Sequence, residues 1–129
     1  MLLITEPHLR VDPADLVGRT RDVLSLTWEE RRWTRKCLVT ALGREVALAL
    51  PTGSLLRPGE VIALEEGWYL VVEGRPEPVI AISAPGRDEA VRLAFEVGNR
   101  HFPLAIDGDH LLVPDDSAME QMVTRLRAR

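Results

Sequence analysis

The chain has 129 residues, of which 46% are apolar and 28% charged, and 16 basic against 20 acidic groups leave a net charge of −4. That length fits one ordinary domain or two very small ones, and the composition is that of a globular protein. A lone cysteine, Cys37, excludes a disulfide framework and a cysteine-based zinc site, and the even, mild acidity of the two halves argues against bulk nucleic-acid binding.

In chain order, Met1-Leu2-Leu3-Ile4 is a short apolar run that lacks the basic start and long apolar region of a signal peptide. No stretch approaches the length of a membrane span, so no membrane is expected and the compartment is read as cytoplasmic. The polar stretch with Pro7, Pro13 and Gly18 reads as a loop. Asp22 to Leu26 alternates as a strand, and Thr27-Trp28-Glu29-Glu30 has the form of a capping box, predicting one tight helical turn. Arg35 to Ala41 and Arg44 to Leu50 form a hairpin about Leu42-Gly43, with Val46, Leu48 and Leu50 on one face. Cys37 is expected there as a small core residue. Glu60 to Leu64 and Trp68 to Val72 make a second hairpin about Glu66-Gly67.

Two prolines in three residues at Gly74-Arg75-Pro76-Glu77-Pro78 mark a linker, giving an N-terminal β domain over 1–74 and a second domain over 75–129. Val79 to Ser83 is an apolar strand, and Ala84-Pro85-Gly86 turns the chain. A helix then opens on Asp88-Glu89, with an expected apolar face of Ala90, Val91, Ala94, Phe95 and Val97. Gly98 is either its stop or a point of close backbone approach. Pro103 to Ile106 and His110 to Val113 form a third hairpin about Asp107-Gly108. A last helix starts at a Ser117-x-x-Glu120 capping box, buries Met119, Met122, Val123 and Leu126, and carries Arg125, Arg127 and Arg129 towards its C-terminal end. The fold class is α+β: a small all-β domain followed by the ferredoxin-like β-α-β-β-α order without its last strand.

Chemistry is sparse. No nucleophile elbow, P-loop or dinucleotide-binding motif occurs, so no enzyme is expected. The paired acids Glu29-Glu30, Glu65-Glu66 and Asp115-Asp116 read as solvated turns and caps. Arg31, Arg32, Arg35 and Lys36 beside Trp28 and Trp33 could stack on nucleic acid, but an edge strand guarded by charge with Trp packed behind is favoured. Among the histidines, His8 and His110 read as solvated groups. His101 differs by its company, Gly98-Asn99-Arg100-His101-Phe102-Pro103-Leu104, at the carbonyl end of a helix. Imidazole is a good ligand for nickel, copper and zinc, and the carbonyl end of a helix favours a cation. One histidine makes no metal site alone, and needs a partner residue or its own copy across a two-fold axis.

The Gly-Asn-Arg-His core followed by Pro103-Leu104 resembles the UreE family of urease accessory proteins, which are nickel metallochaperones. Leu26-Thr27-Trp28-Glu29-Glu30-Arg31, Leu50-Pro51-Thr52-Gly53, Leu56-Arg57-Pro58-Gly59-Glu60 and Glu77-Pro78-Val79 extend the resemblance over nearly the whole chain. It implies an N-terminal β domain that binds partner proteins and a ferredoxin-like domain that dimerises and binds Ni(II), with zinc or copper as substitutes. It implies His101 as the nickel ligand, given by both protomers of a homodimer, with Asn99 and Arg100 in supporting roles. It implies urease apoprotein and other urease accessory proteins, including the GTPase, as partners. Relatives carry further histidines near Asp115, Asp116 and Ser117. Here only acids and a serine stand there, so Asp115 and Asp116, with His110, are candidate weak additional ligands. No His-rich tail follows Arg129, so about one nickel per dimer is expected. The rival reading is a metal-independent protein- or nucleic-acid-interaction module on the same scaffold.

Overall fold

A computed structural model describes residues 1–84 and 86–127, the last without its side chain. The chain divides into two compact units, Met1–Pro76 and Glu77 onward.

The first unit is built from six strands: β1 (Leu2–Ile4), β2 (Thr20–Leu26), β3 (Arg35–Val39), β4 (Glu45–Ala49), β5 (Val61–Glu65) and β6 (Trp68–Gly74). They form two three-stranded sheets, in the orders β1-β4-β3 and β2-β6-β5. Hairpins supply the antiparallel pairs β3–β4 and β5–β6, while β1 on β4 and β2 on β6 are parallel. Alternation decides what is buried: Val46, Leu48 and Leu50 point inward with Leu24, Leu26, Leu70 and Val72, and Leu56 joins them from the intervening loop. Gly43 closes the β3–β4 turn at φ 88°, a conformation in which a Cβ would meet its own backbone.

The capping box forms as expected. The Glu30 amide donates to the Thr27 hydroxyl at 3.2 Å and the Thr27 amide donates to the Glu30 carboxylate at 2.8 Å, opening a 3₁₀ turn over Glu30–Arg32. Trp33 packs against the core while Lys36 lies 5.0 Å over its ring, so the edge strand β3 carries charge with Trp behind it.

Two expectations for this unit are corrected. The stretch before Gly18 contains a one-turn helix, α1 (Pro13–Leu16), because Asp12 and Asp15 cap each other's backbone and Pro13 is preset for a first helical turn. Cys37 is exposed, not in the core. It pairs with Ala47, and Ala47 with Leu3, so the three lie on the outer face of their sheet while Val46 and Leu48 take the inner one.

The second unit runs β7 (Val79–Ser83), α2 (Arg87–Asn99), β8 (Ala105–Asp107), β9 (His110–Pro114) and α3 (Ser117–Arg127). Its sheet order is β7-β9-β8, the ferredoxin-like arrangement without a fourth strand among the described residues. Ile82, Leu111 and Val113 share one sheet face, and both helices cover it with Leu93, Val97, Met119 and Met122. Val123 and Leu126 flank that core as the spacing predicts.

Three details differ here. The expected apolar face of α2 splits: Leu93 and Val97 are buried, whereas Val91 and Phe95 are 61% and 68% exposed. Successive helical residues turn by about 100°, so Phe95 lies roughly 200° from Leu93 and cannot share its face. The helix runs through Gly98 to Asn99, and nothing lies within 4 Å of where a Cβ on Gly98 would sit. The cap of α3 is Asp116, not Ser117: its carboxylate accepts the Ala118 amide at 2.8 Å and its carbonyl accepts the Glu120 amide at 2.9 Å. Pro85, Arg129 and the Arg127 side chain lie outside the described residues. No helix among the described residues is long and apolar enough to cross a membrane.

Candidate metal centre

The end of α2 is set by its own backbone. The His101 amide donates to the Gly98 carbonyl at 3.0 Å, and the Phe102 amide reaches back to the Val97 carbonyl at 3.2 Å. This pair of bonds is a Schellman motif, and Phe102 completes it by packing against the same core as Val97. The motif needs a left-handed residue between them, normally glycine. That residue is His101, at φ 61°, the one non-glycine residue with positive φ among those described. A side chain there costs about 1 kcal/mol relative to glycine. The chain carries an exposed imidazole at a position where backbone economy favours glycine.

The neighbours are short of other donors. Asn99 and Arg100 are exposed, and Arg100 pairs with Glu96 one turn back at 2.8 Å. That pair holds the guanidinium along the helix and offsets its charge beside the imidazole. The last carbonyls of α2 add partial negative charge at the same end, which favours a cation.

The remaining candidates stand on other elements. His110 opens β9, exposed, between Ser83 of β7 and Asp107 of β8 in the sheet register. Asp115 is exposed, and its amide bonds the Pro78 carbonyl at 3.1 Å. Asp116 is half-buried with one carboxylate oxygen committed to capping α3. His8 is exposed in the first unit. Among the described residues no group of three or more His, Cys, Asp or Glu is disposed to hold a metal ion. Asn99, Arg100 and His101 are brought together by sequence, and among the described residues no closed ligand cage surrounds them.

Sequence reasoning missed the exposed pair Val91 and Phe95 on the same helix. The signal was present: placing Leu93 on the helical wheel beside Val97 leaves Val91 and Phe95, four residues apart, as a second apolar stripe.

Two family models cover almost the whole chain. One, described as the UreE urease accessory protein N-terminal domain, matches residues 6–74, and the other, the C-terminal domain of the same protein, matches residues 77–129. The chain belongs to the UreE urease accessory protein family. It is 41% identical over 120 residues to the urease accessory protein UreE of Rhodobacter capsulatus, covering 93% of this chain and 74% of that protein. Similarity to the protein of that name from Paraburkholderia xenovorans (strain LB400) is 35% over 122 residues, covering 95% of this chain and 53% of the relative. The family is one of accessory chaperones, not enzymes.

Proposed function

We propose that the protein is a cytoplasmic nickel carrier that binds Ni(II) between the His101 side chains of two protomers and passes it on for assembly of the urease active site. The observation that carries this reading is the left-handed His101 at the C-terminal end of α2. A position strained by its side chain is retained when that side chain has work to do. Two imidazoles leave further coordination positions to water or to an acceptor's ligands, so the metal can be held and handed over. Copper and zinc suit the same donors and should compete.

The homodimer is supported by Val91 and Phe95, an exposed apolar stripe on the helix that ends at His101. A two-fold axis beside the helix end would bring two copies of His101 to one metal and cover both stripes. Asn99 and Arg100 would steady the loop without touching metal. The first unit would dock partner proteins, and the family resemblance suggests urease apoprotein and further accessory proteins including the GTPase.

The interaction-module alternative is weaker for nucleic acid. Arg32 and Lys36 already lie over Trp28 and Trp33, at 5.9 and 5.0 Å from the ring centroids, so one face of each indole is taken.

Calorimetric titration with Ni(II) tests the proposal. His101→Ala should abolish tight binding while the fold is retained, His8→Ala should change nothing, and His110→Ala should have at most a partial effect. Saturation near one nickel per two chains is expected. Parental affinity in His101→Ala would replace the carrier reading with the interaction module.

A further inference from the structure

The second unit packs its helices on one face of its sheet and leaves the other face open. Ile80 and Ile82 of β7 and Leu111 and Val113 of β9 belong to the core shared with α2 and α3, and alternate residues of a strand point to opposite faces. Ser83 and His110 therefore stand on the open face. Ser83 pairs with His110 on one side and Asp107 pairs with it on the other, so the three form one row across β7, β9 and β8. All three are exposed. The row is fixed by its hairpin: Gly108, at φ 56°, and Asp109 make the two-residue turn that sets Asp107 opposite His110.

Directly opposed residues of an antiparallel pair have Cβ atoms about 5 Å apart. One ion about 2 Å from an imidazole nitrogen and from a carboxylate oxygen bridges that spacing without any movement of the backbone. The next row along the face is Ala81, Leu112 and Ala105, which brings no charge. Arg87, Arg92, Arg100 and Arg125 belong to the helices or the end of α2, on the covered side of the sheet. Among the described residues no ion pair engages Asp107 or His110. Imidazole with carboxylate is a donor set for first-row divalent cations, whereas magnesium and calcium take oxygen ligands.

We propose that His110 and Asp107 bind a second divalent cation of the zinc, copper and nickel class, with the Ser83 hydroxyl placed to hydrogen-bond a water on that ion. No group of three or more His, Cys, Asp or Glu converges there among the described residues, so water fills the remaining positions and the ion is held less tightly than in a closed cage. The site differs from the one proposed at His101 in its face and its stoichiometry. His101 follows the end of α2, on the covered side of the sheet, and needs a second copy of the chain, whereas this row is complete in one chain. It takes up metal while protomers are apart.

The test uses the full chain carrying His101→Ala, titrated with Zn(II) alone by calorimetry and with Cu(II) alone by electron paramagnetic resonance and NMR. One ion per chain is expected, unchanged by Phe95→Glu. Cu(II) should show nitrogen coupling from one imidazole, bind more tightly than Zn(II), and broaden the amide signals of residues 107–111 first. Adding His110→Ala should abolish saturable binding. Losing a group that merely supports a ligand commonly costs about 10–100-fold in metal affinity, so Asp107→Asn should weaken Zn(II) by at least about tenfold. Millimolar magnesium should not compete. Binding that survives His110→Ala, that ignores Asp107→Asn, or that first broadens another surface would overturn the proposal. The broadening is read with the row intact, so it decides the matter even where a row variant fails to fold. Because His101 is already absent from this chain, failure here leaves the carrier reading standing.

Discussion

The carboxylate of Asp22 in β2 and the guanidinium of Arg44 at the tip of the β3–β4 hairpin lie 2.9 Å apart, with the Asp22 side chain fully shielded from solvent. The pair joins elements of two different sheets. The same carboxylate accepts the Thr40 hydroxyl at 2.5 Å, the Leu42 amide at 3.0 Å and its neighbour Val23's amide at 2.8 Å. Arg44 also stacks 4.2 Å over Trp68. Every lone pair that burial would otherwise strand is used, which is how a buried charge becomes tolerable.

Asp22→Ala should therefore destabilise the first unit by about 3 kcal/mol, because it leaves the Thr40 hydroxyl and the Leu42 amide without their acceptor. Arg44→Met should cost less, since three of the four hydrogen bonds to the carboxylate survive. Urea titrations read the difference as a fall in midpoint.

The same site sets a pH dependence. Burial pushes the Asp22 carboxyl up, but the hydrogen bonds from Thr40, Arg44, Leu42 and Val23 together outweigh it and hold the group below the ordinary aspartate value. A carboxyl depressed in the folded state contributes stability that is complete above its unfolded pKa of about 3.9 and is lost as pH falls through the folded value. Stability of the parent should drop below about pH 4, and Asp22→Asn should be less stable at neutral pH but flatter in that acid range. Thermal unfolding from pH 6 to pH 2.5 measures both.

His101→Gly should separate stability from function. Glycine suits the left-handed position, and its greater freedom in the unfolded chain offsets part of the gain, leaving a net stabilisation of about 0.5–1 kcal/mol. Nickel binding should be lost in the same variant. A destabilised His101→Gly protein would show that the imidazole's own contacts outweigh the backbone strain.

Phe95→Glu should break the proposed dimer without unfolding the helix, since the side chain is 68% exposed in one chain. Truncating or charging an interface anchor commonly costs 2 kcal/mol or more, so the dissociation constant should rise at least about thirtyfold. Sedimentation across a concentration series gives the answer, and an unchanged association would move the interface off α2.

Local chemistry was what the sequence alone determined. Period-two alternation with glycine at Gly43 and Gly67 marked the hairpins, Thr27 and Glu30 marked their own reciprocal cap, and the β-α-β-β-α order of the second unit followed from periodicity and turns. The Gly-Asn-Arg-His run pointed to His101 for the same reason, because its four residues are adjacent. Tertiary structure decided everything that depends on which distant segments meet. The parallel pairings of β1 with β4 and β2 with β6 join residues 44 and 48 positions apart in sequence, and no local pattern encodes such a register. Those pairings put Cys37 on an outer face, leave β1 and β5 at the ends of their sheets, and bring Arg44 to Asp22. The left-handed turn at His101 was hidden as well: Gly98 looks the better helix stop by propensity, yet Phe102 can reach the core beside Val97 only if the chain reverses three residues later.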